Sequence, residues 1–126
     1  MMGYFGNLEN EIISNINFRE VLFTGKHSQL VAMSLAPNED IGMEVHHDVD
    51  QFFRIEDGEG MLLIDGVEKT FGDDFAFVVP AGSEHNITNT SGSEPLKLYT
   101  IYSPANHPDG TVHATKADAV AAEEHE

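Results

Sequence analysis

Short apolar or alternating runs, broken every few residues by Gly, Pro, Asn or Asp, occupy most of this chain. That pattern predicts β-strands, here over 18–24, 28–35, 42–46, 50–56, 60–65, 67–71, 75–79, 85–89 and 95–102. The breaks are equally legible: Asp57-Gly58-Glu59-Gly60, Asp65-Gly66, Asp73-Asp74 and Ser91-Gly92-Ser93. An Asp-Gly pair between two apolar runs is a strong hairpin signal. Many short strands at close spacing predict an all-β barrel or sandwich. Only the Ala- and Glu-rich stretch at roughly 114–124 reads as a surface helix, with one further helical turn at 10–16. There is no internal repeat and no linker, so residues 1–126 form one expected domain, with a barrel at roughly 17–113.

Side chains alternate between the two faces of a strand. In 95–102 this phase sends Lys97 to water with Tyr99 and Ile101, and turns Leu96, Leu98, Thr100 and Tyr102 inward. Two bulky outward residues suggest a face covered by a second subunit, a homodimer. The plainer account is the ordinary scatter of apolar residues over a surface.

Composition narrows the partners. Twenty-two acidic against 6 basic residues give a formal net charge of −16, and the basic residues are scattered along the sequence. Binding nucleic acid needs clustered Lys and Arg, so neither nucleic acid nor an anionic membrane is an expected partner. No apolar run approaches the ~20 residues of a membrane span. Met1-Met2-Gly3-Tyr4-Phe5-Gly6 lacks the basic start and apolar stretch of a signal peptide, so the expected location is cytoplasmic. Without cysteine there is no disulfide and no thiolate metal site. Any metal ligands must be His, carboxylate, amide or water.

Two segments carry such ligands. On a strand, Glu44 and His46 share a face about 7 Å apart. Gln51, Phe53 and Ile55 share another face, with Arg54 opposite, and a turn at 47–50 would return Gln51 beside His46 in the neighbouring strand. Pro80-Ala81-Gly82 is a tight turn that delivers His85 to the start of the next strand. Glu44, His46, Gln51 and His85 are therefore expected to converge from three strands. Two imidazoles, a carboxylate and an amide oxygen suit a divalent ion such as Zn, Mn, Fe or Ni.

These two segments resemble the paired motifs of the cupin superfamily. In the first, His-x-His, three or four residues, Glu, six residues, Gly, this chain has Glu44 at the first His, His46 at the second, Gln51 at the Glu, and Gly58 at the Gly. Asn38 replaces the motif's early Gly. The second motif, Pro-x-Gly-x-x-His-x-x-x-Asn, is complete in Pro80, Gly82, His85 and Asn89, with Asp74 in place of its upstream Gly. The text from Leu96 to Pro104 and from His107 to His113 looks like a group of small single-domain bacterial cupins often labelled mannose-6-phosphate-isomerase-like. The resemblance implies a double-stranded β-helix (jelly-roll) barrel with a metal in its mouth. Zinc-dependent phosphomannose isomerases of this fold also use one Gln, one Glu and two His, which favours an isomerase over an oxygenase. With Arg54 outward and no other Lys or Arg inside the motifs, a neutral or carbonyl-bearing ligand fits better than a phosphorylated one.

Each candidate has a plainer role. Glu44 also reads as a strand carboxylate and Gln51 as an amide satisfying a barrel hydrogen bond. His47 faces outward if His46 faces in, and takes its place if the register slips by one. Asn89 and the glycines read as turn and packing residues. Phe53 and Tyr102 read as core, although Tyr102 at the mouth is a candidate proton donor, as Glu44 is a candidate base if it does not ligate. His107 and His113 fall in a loop expected over the mouth, and 123–125 reads as a solvated tail. The leading expectation is a metal-dependent isomerase or lyase acting on a small carbonyl or sugar-like molecule. The alternatives are a metal-dependent dioxygenase and a non-catalytic small-molecule binding or sensor module.

Overall fold

The computed structural model describes residues 3–124. Its elements, in chain order, are α1 (Leu8–Ser14), β1 (Arg19–Thr24), β2 (Gln29–Leu35), β3 (Asp50–Asp57), β4 (Gly60–Ile64), β5 (Val67–Phe71), β6 (Ala76–Val79), β7 (His85–Asn89), β8 (Leu96–Ser103), β9 (Val112–His113) and α2 (Lys116–Glu124). The strands form an antiparallel six-stranded sheet, β6-β3-β8-β2-β1-β9, and a three-stranded sheet, β5-β4-β7. This is a jelly roll of two facing sheets rather than a closed barrel. The β4–β5 hairpin turns at Asp65 and Gly66, both at positive φ, as the Asp-Gly signal predicts.

Inward phase decides the core. Leu96, Leu98, Thr100 and Tyr102 of β8 are each at most 1% exposed, in agreement with the alternation. Their partners in register on β2 and β3 include Leu35, Met33, Val31, Phe53 and Ile55, all equally buried. Burying side chains of this size stabilises by roughly 1.5–3 kcal/mol each. Between its sheets the fold therefore holds a continuous apolar interior.

The outward phase of β8 is only partly free. Lys97 is buried, and its ammonium donates to the Asn15 carbonyl at the end of α1. The expectation that Lys97 reaches water is thus corrected: period 2 sets its direction, but a helix packed through Ile12 lies across that end of the sheet. Further along the same face Val78, Phe52, Ile101 and Leu30 lie in register across four strands, half-buried except for the exposed Val78.

A second correction concerns 42–46, which is not a strand. Residues 39–44 run beside β7 with only isolated bridges, Asp40 to Thr88 and Glu44 to His85. Gly42, at φ +110°, interrupts the ladder, and its N–H donates to the Asn86 side chain instead. This arm therefore lies along the small sheet, whereas Gln51 sits in the large one.

The motif glycines replaced in this chain keep their backbone conformation. Asn38 has φ +64° and Asp74 φ +68°, and Asn and Asp are the non-glycine residues that best tolerate this left-handed region. At the C-terminal end, α2 puts Ala119 into the core and pairs Lys116 with Asp40 on the arm. Glu123 is exposed, while His125 of the expected tail, like Met1 and Met2 at the start, lies outside the described residues.

Candidate metal centre

The Glu44–His85 bridge places two candidate ligands side by side. Glu44 N–H donates to His85 O at 2.9 Å and His85 N–H to Glu44 O at 3.0 Å. The His46 carbonyl accepts from Gly82 N–H at 2.8 Å, and the Asp50 carboxylate accepts from Ala81 N–H at 2.9 Å. The Pro80–Gly82 turn is thereby tied to the arm, so the two sequence motifs fasten each other. Glu44 Oε2 lies 2.7 Å from His46 Nε2, and the His46 and His85 rings are 5.6 Å apart. One ligand atom each of Glu44, His46 and His85 lies within 4.8 Å of the others. A single ion can reach such a trio.

Gln51, on the opposite sheet, lines a cavity together with Glu44 and His85. Its partners in register are Val79 and Tyr102, not His46, because β3 and the arm belong to opposite sheets. The hydrogen bonds fix which way its amide points. Thr100 Oγ1 donates to Phe52 O at 2.8 Å, so it must accept from Gln51 Nε2, at 3.0 Å. Gln51 Oε1 is left buried with no partner. Glu44, Gln51, His85, Phe53 and Tyr102 line a shared enclosed cavity of about 10 Å³, room for roughly one water or ion. An orphaned acceptor beside such a space fits a cation, and the donor set of two imidazoles, a carboxylate and an amide fits a borderline divalent ion.

Supporting groups hold the donors in a binding state. His85 Nδ1 lies 3.1 Å from the Ser83 carbonyl, so Nδ1 carries the proton and Nε2 keeps its lone pair. Burial by itself pushes the Glu44 carboxyl up. The hydrogen bond to His46, together with the positive charge of Arg19, outweighs it and holds the carboxyl below its usual range. Glu44 is an anion under ordinary conditions.

The remaining candidates divide. His47 is exposed, as the alternation predicts. Asn89 donates to the Leu35, Ala36 and Glu94 carbonyls and accepts from Ser91 N–H, a structural role. Tyr102 is buried, and burial followed by the nearby Glu44 charge pushes its phenol well up. Its hydroxyl sits 3.2 Å from His107 Nε2. Burial, and then Arg19, push His107 down to about 4, so this imidazole is neutral at neutral pH. His113 stands in β9, with Nδ1 3.3 Å from Arg19 Nη1.

Arg19 is the residue that the sequence reasoning passed over. It is only 2% exposed, and it is not one of a scatter of surface cations. The signal was available: Arg19 and Val21 share the inward phase of β1, but Arg19 lies outside both motifs.

Comparison with known proteins fixes the lineage. The cupin domain family matches residues 31–102, more than half of the chain. The chain belongs to the cupin family. It is 52% identical over 124 residues to the uncharacterized protein YrkC of Bacillus subtilis (strain 168), covering 94% of this chain and 66% of that one. It is 45% identical over 112 residues to the uncharacterized protein L612 of Acanthamoeba polyphaga mimivirus, covering 86% and 70%. This cupin therefore spans about two thirds of the length of those relatives. The crystal structure of BH2720 from Bacillus halodurans superposes with a TM-score of 0.91 at 44% identity, covering 94% of this chain and 93% of that one. No helix among the described residues is long and apolar enough to cross a membrane.

Proposed function

We propose that this cupin is a divalent-metal protein, with Glu44, His46, Gln51 and His85 as ligands, acting as an isomerase- or lyase-type enzyme on a small carbonyl or sugar-like molecule. The observation that carries this reading is the unpartnered Gln51 Oε1 in one cavity with Glu44 and His85, two of a trio of donors within 4.8 Å of one another. Bound there, a divalent ion supplies Lewis-acid polarisation of a substrate oxygen. The chain's own residues supply the rest. Phe53, Ile41 and Ile87 form an apolar wall of the cavity that limits water. Tyr102 keeps its proton because it is buried beside Glu44, which makes it the candidate proton donor, and neutral His107, 3.2 Å from its hydroxyl, orients it.

Elemental mass spectrometry on protein purified without an affinity tag tests this reading. About one equivalent of Zn, Mn, Fe or Ni per chain is expected, and His46→Ala/His85→Ala should lose it. A chain that holds no metal and refuses all four when they are added would defeat the proposal in favour of a metal-free binding module. The identity of the ion separates the chemistries, because zinc has no redox role, whereas iron would move the choice to a dioxygenase.

A further inference from the structure

The arm that carries Glu44 and His46 is out of step with β7 by one residue. Asp40 stands opposite Thr88 and Glu44 opposite His85, so four steps along the arm answer three along the strand. One extra residue on one side of an antiparallel pair is a β-bulge. Main-chain bonds close on both sides of it, from Ile41 N–H to Ile87 O at 3.0 Å and between Glu44 and His85. Gly42 lies between them at φ +110°, a conformation that residues with a side chain rarely adopt. A Cβ added there would meet nothing within 4 Å, so the backbone angle, and not crowding, calls for glycine.

The bulge decides which way the candidate ligands point. Residues directly opposite in an antiparallel pair share a face. On β7, His85, Ile87 and Asn89 are buried while Asn86 and Thr88 are half-buried, so Asp40 belongs to the outer face and Glu44 to the inner one. In an unbroken strand these two residues would share a face. A regular ladder continued from the Asp40–Thr88 bridge would set Met43 opposite His85, and Glu44 outward opposite the like charge of Glu84. A shift of one residue reverses every later side chain. His46 would then turn outward, and Val45, now exposed, would turn in.

Asn86 holds the extra residue in place. Its amide spans the bulge: Oδ1 accepts from Gly42 N–H at 3.0 Å, and Nδ2 donates to Asp40 Oδ2 at 2.9 Å. The other Asp40 oxygen accepts from Lys116 at the start of α2. A main-chain N–H that only donates and a carboxylate that only accepts fix the orientation of the amide. Neither Gly42 nor Asn86 is a position of the two cupin motifs.

We infer that Gly42 and Asn86 are positioning residues of the metal centre: the bulge that they form and latch turns Glu44 and His46 inward, beside His85. Their role toward a metal rests on the reading above, whereas the direction of the side chains does not.

Two readouts separate these levels. On metal-free protein, NMR follows the ring-to-ring contact of His46 with Tyr102, whose centroids lie 5.8 Å apart. Cobalt(II) titration, monitored by visible absorption, reads the ligand set. Deleting Gly42 should abolish the contact and reduce cobalt binding to that of His46→Ala/His85→Ala. Asn86→Asp sets a second carboxylate against Asp40; the contact should weaken, and cobalt should bind about tenfold to a hundredfold less tightly. The exchange Asp40→Asn/Asn86→Asp restores a donor facing an acceptor and should recover both readouts. A Gly42 deletion that folds with the His46–Tyr102 contact intact overturns the inference. An Asn86→Asp protein that matches wild type, or an exchange no better than Asn86→Asp alone, overturns it at the latch. If the contact responds as expected while wild type binds no cobalt, the bulge stands and the metal reading falls. Should the deletion not fold, Asn86→Asp and its exchange partner decide alone.

Discussion

Two rows of inward side chains cross the same three strands, four residues apart, and they are built for opposite ends. One row is Ile55, Leu98 and Met33 on β3, β8 and β2; the other is Gln51, Tyr102 and Gln29. Every one of the six is at most 3% exposed. The apolar row costs nothing in unmet hydrogen bonds and contributes burial. The polar row contributes less burial and requires partners for each group. Within it the two glutamines differ again. Gln29 is fully used, donating to Thr24 Oγ1 and His107 O and accepting from the N–H groups of Asn106 and His107. Gln51 is half used, with Oε1 unpartnered. Burial alone therefore does not separate the two glutamines; the count of satisfied atoms does.

The largest expected effect is at the apolar row. Leu98→Ala should lower unfolding free energy by roughly 2–5 kcal/mol, because a cavity replaces a fully buried side chain. Urea denaturation monitored by circular dichroism measures it, and the fraction that remains folded should keep its metal. A loss below about 1 kcal/mol would mean that this end repacks freely and is not the rigid half of the pair.

Gln29→Leu comes next. It leaves the Asn106 and His107 N–H groups and the His107 carbonyl without the side chain that now ties them down. A cost of about 1–3 kcal/mol is expected, since each buried group deprived of its partner carries a desolvation penalty. The same denaturation curve reads it, and hydrogen exchange at 106 and 107 should quicken. Unchanged exchange there would show that water replaces the amide and that Gln29 is not the brace of this loop.

Much of this contrast can be read in the sequence, and the failures have identifiable physical causes. The inward phase of β8 and the strands around it follow from alternation, because each residue's direction is a local property of the backbone. The positive φ at Asn38 and Asp74 falls where the cupin motifs carry glycine, so a substituted motif still marks the turn. Alternation misread 42–46 for the opposite reason. Met43 and Val45 are indeed exposed while Glu44 and His46 are not, so the side-chain pattern of a strand is present. Its ladder is not, since hydrogen bonding depends on a neighbour that the local sequence does not name. Lys97 and Arg19 fail in the same way. Each points where the phase sends it, but what it meets there, the end of α1 for Lys97 and His113 of β9 for Arg19, is decided by distant parts of the molecule.

The smallest effect on stability, and the one that sharpens the comparison most, is Gln51→Leu. Leucine has nearly the volume of glutamine, removes the orphaned oxygen, and gives up one hydrogen bond to Thr100 Oγ1, which keeps its own bond to Phe52 O. The lost bond and the relieved orphan nearly offset, so the metal-free protein should change by less than about 1 kcal/mol in either direction. Metal retention should fall in the same variant, read as ions remaining after dialysis against a chelator. That pairing, unchanged stability with weakened metal binding, is the reverse of what Leu98→Ala and Gln29→Leu should show. Were Gln51→Leu to cost as much as Gln29→Leu while holding its metal as wild type does, Oε1 would be a structural acceptor served by water, and the polar row would be a brace along its whole length.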